Sequence, residues 1–346
     1  MQQYKVFADL HHFSLYNSFR LLFERRFGGK LYRPLGEDWL HRGYWKMAEI
    51  YNNHPLTVAQ YLGVRPDYPE PEPGHYLAYD PEYDYDHNAI TIDRFFQTPI
   101  DFVIATIPAH IDSFARLASE HPNHPKAIFQ VGNAWEINPA QPIKNIMASA
   151  TLPTHPPGFN IIEYHQEFDT HVFKPMPTFE GNTITCFINC YQSASIYKQD
   201  WATFSKVEKL MPDWTFKSLG GSCRDGEANG QKLLAEIMGR SKFVWHLKAG
   251  GDGYGHIIHN AYAMGVPPIV KMGYYAGKLA GKLMVDGQTC IAIDNLDAPA
   301  IINKIEHYSQ NSMYEQLRKN VYNVFNAVVD FDAEGSQLAA FLGKCI

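Results

Sequence analysis

Short apolar runs alternate along the chain with stretches whose apolar residues recur every three or four positions. Residues 4–8 read as a buried strand, and Asp9-Leu10-His11-His12-Phe13-Ser14 as the turn after it. Leu15, Phe19, Leu22, Phe23 and Phe27 then recur at helical spacing until Gly28-Gly29, and residues 30–34 return to a strand. The same order resumes with a strand at 101–106, a turn at 108–110, a helix at 111–120 and strands at 127–131, 145–150 and 160–163. A second series follows Pro177. Its strands fall at 183–189, 214–219, 242–247, 267–271 and 289–293, its helices at 201–211, 231–238 and 256–264, and a mostly helical tail runs from 298 to 342. Such repetition predicts parallel sheets with helices on both faces. The expected fold class is α/β, with two doubly wound Rossmann-like domains facing a cleft. Residues 1–168 make the first domain, 169–180 the linker, 181–297 the second domain and 298–346 the C-terminal helices. Residues 67–86, dominated by Pro, Tyr and acids, are expected to form an irregular surface insert.

A length of 346 residues fits two domains. With 45% apolar and 19% charged residues the chain is not largely disordered. No apolar run reaches the ~18 residues of a membrane span. The first residues carry charge and histidines inside their apolar stretch, unlike a signal peptide. The five cysteines are scattered and lack CxxC spacing, which argues against zinc and disulfides and for a reducing, cytoplasmic setting. The net charge of −6 speaks against a surface given over to nucleic acid. One stretch, residues 20–46, does interleave basic and aromatic residues (Arg20, Phe23, Arg26, Arg33, Trp39, Arg42 among them). It reads either as a patch for a phosphate backbone and bases or as a helix face with snorkelling arginines.

The strongest local signal is the run from Lys248 to the helix opening at His256. Gly250, Gly251, Gly253 and Gly255 lie there between a strand and a helix. Such a loop lets backbone N–H groups approach a phosphate, and the helix start adds unpaired donors and the positive end of its dipole. A tight strand-to-helix turn needs glycines as well. His256 and His259 share one helical face, but no third metal ligand is evident. Asp84-Tyr85-Asp86 falls in the acidic insert and reads as a solvated loop rather than a metal-holding pair of carboxylates.

Asp252-Gly253-Tyr254-Gly255, followed after four residues by Asn260-Ala261-Tyr262-Ala263-Met264-Gly265-Val266-Pro267-Pro268-Ile269, resembles a string of the retaining family-4 glycosyltransferases of the GT-B class, E-G-F-G-x-x-x-x-E-A-M-A-x-G-x-P-V-V. Phe168–Pro175 resembles the V-D-x-x-x-F-x-P string that ends the first domain in that family, and Val285-Asp286-Gly287 its later V-x-D-G segment. The resemblance covers residues 164–295. It implies C-terminal helices that return to brace the first domain. It also implies a donor site with Lys198, Gly251, Gly253, Tyr254, Gly255, His256 and Asn260 around the nucleotide, and Asp252 near the donor sugar; His246, at the end of its strand, and Lys248 are expected to join it. The family's two glutamates are replaced by Asp252 and Asn260. Its Gly-Arg pair is replaced by the Cys190-Tyr191-Gln192 stretch, leaving Lys198 as a rough match to its lysine and Lys248 or Arg224 to supply a cation for a leaving diphosphate. In the first domain, some inverting relatives keep a catalytic histidine at the first turn. Asp9 with His11 or His12 offers that pairing, and His110 is expected on the acceptor side.

The expected activity is transfer of a hexosyl or pentosyl group from a UDP- or GDP-linked sugar to an acceptor hydroxyl, without a metal or other cofactor. The acceptor stays open among a glycan, a small molecule and a hydroxymethylated pyrimidine in DNA, as does the choice between retention and inversion. The alternative from another class is a non-catalytic nucleotide- or sugar-binding protein of the same descent.

Overall fold

The computed structural model describes residues 3–9, 13–35, 38–44, 88–228, 230–250 and 252–345. The expected insert at 67–86 lies outside them. The chain divides into two units, one holding the residues up to Phe168 together with those from Phe331 onward, the other Asp169–Asp330.

In the first unit β1 (Lys5–Ala8), β2 (Lys30–Pro34), β3 (Ala89–Ile90), β4 (Phe102–Ala105), β5 (Lys126–Val131), β6 (Asn145–Ala148) and β7 (Asn160–Glu163) form one sheet in the order β3-β2-β1-β4-β5-β6-β7. Every pairing is parallel. Central strands are apolar on both faces because helices cover both. Val6, Ala8, Leu31, Phe102 and Ile104 pack under Phe19, Phe23 and Phe27 on one face. Phe7, Val103, Phe129 and Val131 pack under Trp39, Phe95 and Phe114 on the other. The first helix runs Phe13–Phe19 and continues as a π-wound segment, Arg20–Arg26. Its end is set by two glycines. Gly28 takes a left-handed backbone (φ 66°), and a Cβ on Gly29 would meet the Tyr4 carbonyl oxygen at 2.1 Å.

In the second unit β8 (Thr183–Cys186), β9 (Thr215–Ser218), β10 (Phe243–Trp245), β11 (Pro268–Val270) and β12 (Ile291–Ala292) form a parallel sheet in the order β12-β11-β10-β8-β9. The expectation for the C-terminal helices needs correction. Helices Ala298–Ser309 and Asn311–Val328 stay in the second unit, where Ile301, Ile305, Tyr314 and Leu317 share a core with Phe243 and Trp245. Only Phe331–Cys345 returns to the first unit, placing Leu338, Phe341 and Leu342 against Val6 and Phe102. Charge pairs seat it. Arg26 grips Glu167 through two nitrogens (3.1 and 2.9 Å) and Asp332 through the third (2.6 Å), while Glu334 accepts from the His165 backbone N–H at 2.7 Å.

Leu342 is fully buried in this returning helix. Leu342→Ala is expected to destabilise the first unit by roughly 2–5 kcal/mol through lost burial and the cavity left behind. Urea unfolding checks this; a loss below ~1 kcal/mol would mean that the helix does not share the core.

Candidate functional site

In an open parallel sheet, ligands gather outside the carboxyl ends of the strands where the strand order reverses. The second unit reverses between β8 and β10, the first between β1 and β4. Among the described residues, those singled out from the sequence fall at both places.

β10 ends at Trp245, and the next residue, His246, is 2% exposed. Its Nε2 lies 2.6 Å from Asp252 Oδ2, while Asp252 Oδ1 pairs with the Lys248 ammonium. Burial by itself would raise the Asp252 carboxyl. The charges of Lys248 and His246 and their hydrogen bonds outweigh it and hold the group well below the usual carboxylate range. Burial likewise draws the Lys248 ammonium down, and Asp252 more than reverses this, so the lysine keeps its charge. The Lys248 side chain is 35% exposed, so this cation reaches solvent. Lys278 fastens the loop from behind, donating to the carbonyl oxygens of Gly250 (3.1 Å) and Asp252 (2.5 Å).

The helix His256–Ala263 opens on Gly255, whose φ of 83° sets the backbone in the left-handed region. His259 Nδ1 donates to the Gly255 carbonyl at 2.9 Å, and its ring stacks on Tyr254 with centroids 4.1 Å apart. The N–H groups of the first turn have no partners within the helix. Asn260 is 5% exposed, and its Oδ1 has no hydrogen-bond partner among the described residues. His246 Nδ1 is also buried without a partner there. Tyr197, from the segment after β8, joins the group: burial pushes its phenol up, Lys248 pulls it down and Asp252 raises it further. His246, Lys248, Asp252, Gly253, Tyr254, Gly255, His256 and Asn260 therefore share one strand-to-helix passage. Lys198 is exposed at the start of helix Lys198–Leu210, and Gly251 lies outside the described residues.

The loop after β8 explains the altered Gly-Arg pair. Cys190 keeps a glycine-like left-handed backbone (φ 56°), and Tyr191 is fully buried, accepting from Trp245 Nε1 at 3.1 Å. Among the described residues of this loop no Lys or Arg replaces the arginine. Arg224 does not compensate, contrary to the sequence reading: it is bound to both oxygens of Glu208 (2.8 and 2.5 Å) and to Asp225.

In the first unit the carboxylate of Asp9, 2% exposed after β1, accepts from the Thr106 N–H (3.0 Å to each oxygen) and the Thr106 hydroxyl, and meets His110 Nδ1 at 2.8 Å. The structure thus pairs Asp9 with His110; His11 and His12 lie outside the described residues. In the basic and aromatic stretch at 20–46 the structure shows ion pairs and buried side chains. Arg20 pairs with Glu24, Arg26 with Glu167 and Asp332, and Arg42 with Asp93, while Arg33, Phe23 and Trp39 are fully buried.

Over 98% of its length the chain superposes on 99% of Alr3699/HepE from Anabaena, solved in complex with UDP-glucose, with a TM-score of 0.64 and 10% sequence identity. The chain has the GT-B fold. A glycosyltransferase from Rickettsia africae ESF-5 shares that GT-B fold over 100% of this chain and 99% of its own (TM-score 0.61, 10% identity). So does the sucrose-phosphate synthase of Thermosynechococcus elongatus, over 98% of each chain (TM-score 0.58, 10% identity). No family model matches the chain, and no curated protein matches its sequence. Among the described residues of this GT-B chain, no helix is long and apolar enough to cross a membrane and no three His, Cys, Asp or Glu side chains converge as a metal site.

Asp252→Asn keeps the shape but removes the charge that holds Lys248 and His246. It is expected to cost about 3 kcal/mol at neutral pH. The depressed carboxyl contributes stability above the unfolded value of about 4, and this is lost as pH falls through the lower folded value. The raised lysine contributes below about 10.4 and loses its share as pH rises past its folded value. Chemical denaturation of both proteins from pH 2 to 8 should show the gap closing below about pH 4; a gap independent of pH would show the carboxylate to be unpaired.

Proposed function

We propose that this protein transfers a sugar from a UDP-linked donor to an acceptor hydroxyl, with the donor held by the second unit and the acceptor by the first. The carrying observation is the Lys248–Asp252–His246 cluster at the opening of helix His256–Ala263, placed at the reversal between β8 and β10. The positive end of the helix dipole at this opening and the Lys248 ammonium offer positive charge to a diphosphate. Electrostatic stabilisation of this kind is a main source of rate in group transfer, because the leaving diphosphate gains negative charge as the glycosidic bond breaks. These groups supply what the leaving group requires, so the proposed reaction runs without a metal cofactor.

Asp252 acts in this reading by position. Each of its oxygens already has a partner, Lys248 on one and His246 Nε2 on the other, so it fixes Lys248 towards the phosphates and leaves His246 Nδ1 buried beside them. Asn260 Oδ1, buried without a partner, is the acceptor for a ribose hydroxyl. Alr3699/HepE was solved with UDP-glucose and, in a second crystal, with UDP and glucose, which supports a uridine donor. The Lys248 charge persists across the neutral range and keeps the site ready for an anion.

A thermal-shift screen of UDP, GDP, ADP, CMP and their sugars tests the proposal. UDP and UDP-sugars should raise the unfolding temperature by mass action. Lys248→Ala and Asn260→Ala should each weaken UDP binding about tenfold, the equivalent of one charge-assisted or buried hydrogen bond. A uridine shift that survives both substitutions unchanged would move the donor elsewhere.

A further inference from the structure

Trp135 stands apart from the other described tryptophans. Its side chain is 78% exposed, whereas Trp39 and Trp245 are fully buried. It lies on the short turn Ala134–Glu136 that follows β5, at the sheet edge where Asp9 and His110 also lie. The backbone beneath it is rigid. Glu136 Oε2 accepts from the N–H groups of Gly132 (3.0 Å) and Asn133 (3.3 Å), and Glu136 Oε1 accepts from the Asn133 amide (2.8 Å). The indole is therefore held out to solvent by a preorganised turn, which lowers the ordering cost of any ligand that stacks on it.

Apart from the Glu136 carboxylate, the side chains bonded to one another at the ends of β5 and β6 are polar and uncharged. Gln130 Nε2 donates to the Val131 carbonyl (3.2 Å) and to Ser149 Oγ (2.8 Å), and Gln166 Nε2 donates to the same hydroxyl at 2.6 Å. Gln166 is 3% exposed, and its Oε1 has no partner among the described residues, nor has the buried Thr151 hydroxyl. The loops after β4, β5, β6 and β7 (106–110, 132–144, 149–159 and 164–168) contain a single Lys or Arg, Lys144. Its ammonium donates to the Pro139 carbonyl at 2.7 Å and rests on the Phe159 ring. A phosphorylated acceptor or a nucleic acid bound on these four loops would need more cations than this one. An exposed indole face above neutral amides and hydroxyls instead suits a pyranose, whose C–H face is apolar and whose rim carries hydroxyls.

We infer that Trp135 is the stacking platform of an acceptor subsite for an uncharged sugar ring, so that the acceptor is a neutral glycan. This rests on the glycosyl-transfer reading above and adds the acceptor class to it. Saturation-transfer NMR, irradiating protein aromatic protons and observing sugar protons, tests it with cellohexaose, maltohexaose and chitohexaose on the wild type, Trp135→Ala and Trp135→Phe. The same three proteins are run in the UDP thermal-shift assay. At least one oligosaccharide should bind the wild type. Trp135→Ala should weaken it roughly three- to tenfold, Trp135→Phe should restore part of the loss, and the UDP shift should stay the same in all three. Equal sugar binding by wild type and Trp135→Ala overturns the inference, as does a wild type that binds none of the three sugars. Self-association that Trp135→Ala abolishes, without sugar binding, overturns it too and assigns the indole to a protein contact. A missing UDP shift in the wild type would instead refute the donor reading, whatever the sugars do.

Discussion

A carboxylate taken out of water is stable only if opposite charge or hydrogen bonds replace its hydration, and Asp252 is buried with two such partners. That requirement organises the second unit's site. Lys248 and His246 must come from the end of β10, the loop must bend back at Gly250 and Gly255, and Lys278 must hold its carbonyls. The outcome is a cation at a helix opening that remains charged because the aspartate beneath it remains charged. Removing Lys248 or His246 leaves the buried Asp252 short of a partner, so the cluster acts as a unit.

The first unit repeats the logic at its own reversal of strand order. Asp9 is satisfied by Thr106 and His110, joining the loops after β1 and β4. Its oxygens are occupied, which makes it a tie between two loops. The returning helix Phe331–Cys345 closes the opposite requirement, burying Leu338, Phe341 and Leu342 on a sheet face that would otherwise meet water. Arg26 sets its register by meeting Glu167 and Asp332 together.

The departures from the family string also have physical sense. Cys190 adopts the backbone that a glycine would take, so the loop after β8 keeps its shape. The arginine's place is filled by Tyr191, whose ring belongs to the core with Phe204 and Trp245. Positive charge is then carried by the neighbouring loop, at Lys248. One unit thus carries a partly exposed lysine, Lys248, at its reversal of strand order, while the other carries an exposed indole, Trp135, after β5.

Most of the fold was legible in the residues. Strands such as β1, β4 and β5 showed as apolar runs, and the helix opening at His256 showed in the glycines ahead of it, because period and backbone geometry depend on near neighbours. The glycine string also marked the passage where His246, Lys248 and Asp252 come together. Contacts between distant segments were not legible. The Asp9–His110 pair spans 101 positions, and Lys278 reaches back 26 to the carbonyl of Asp252. The split of the C-terminal helices, the sequestering of Arg224 by Glu208 and the exposure of Trp135 had no mark in spacing either. A side chain's partner is set by which strands become neighbours, and that follows from burying the whole chain at once rather than from any local run of residues.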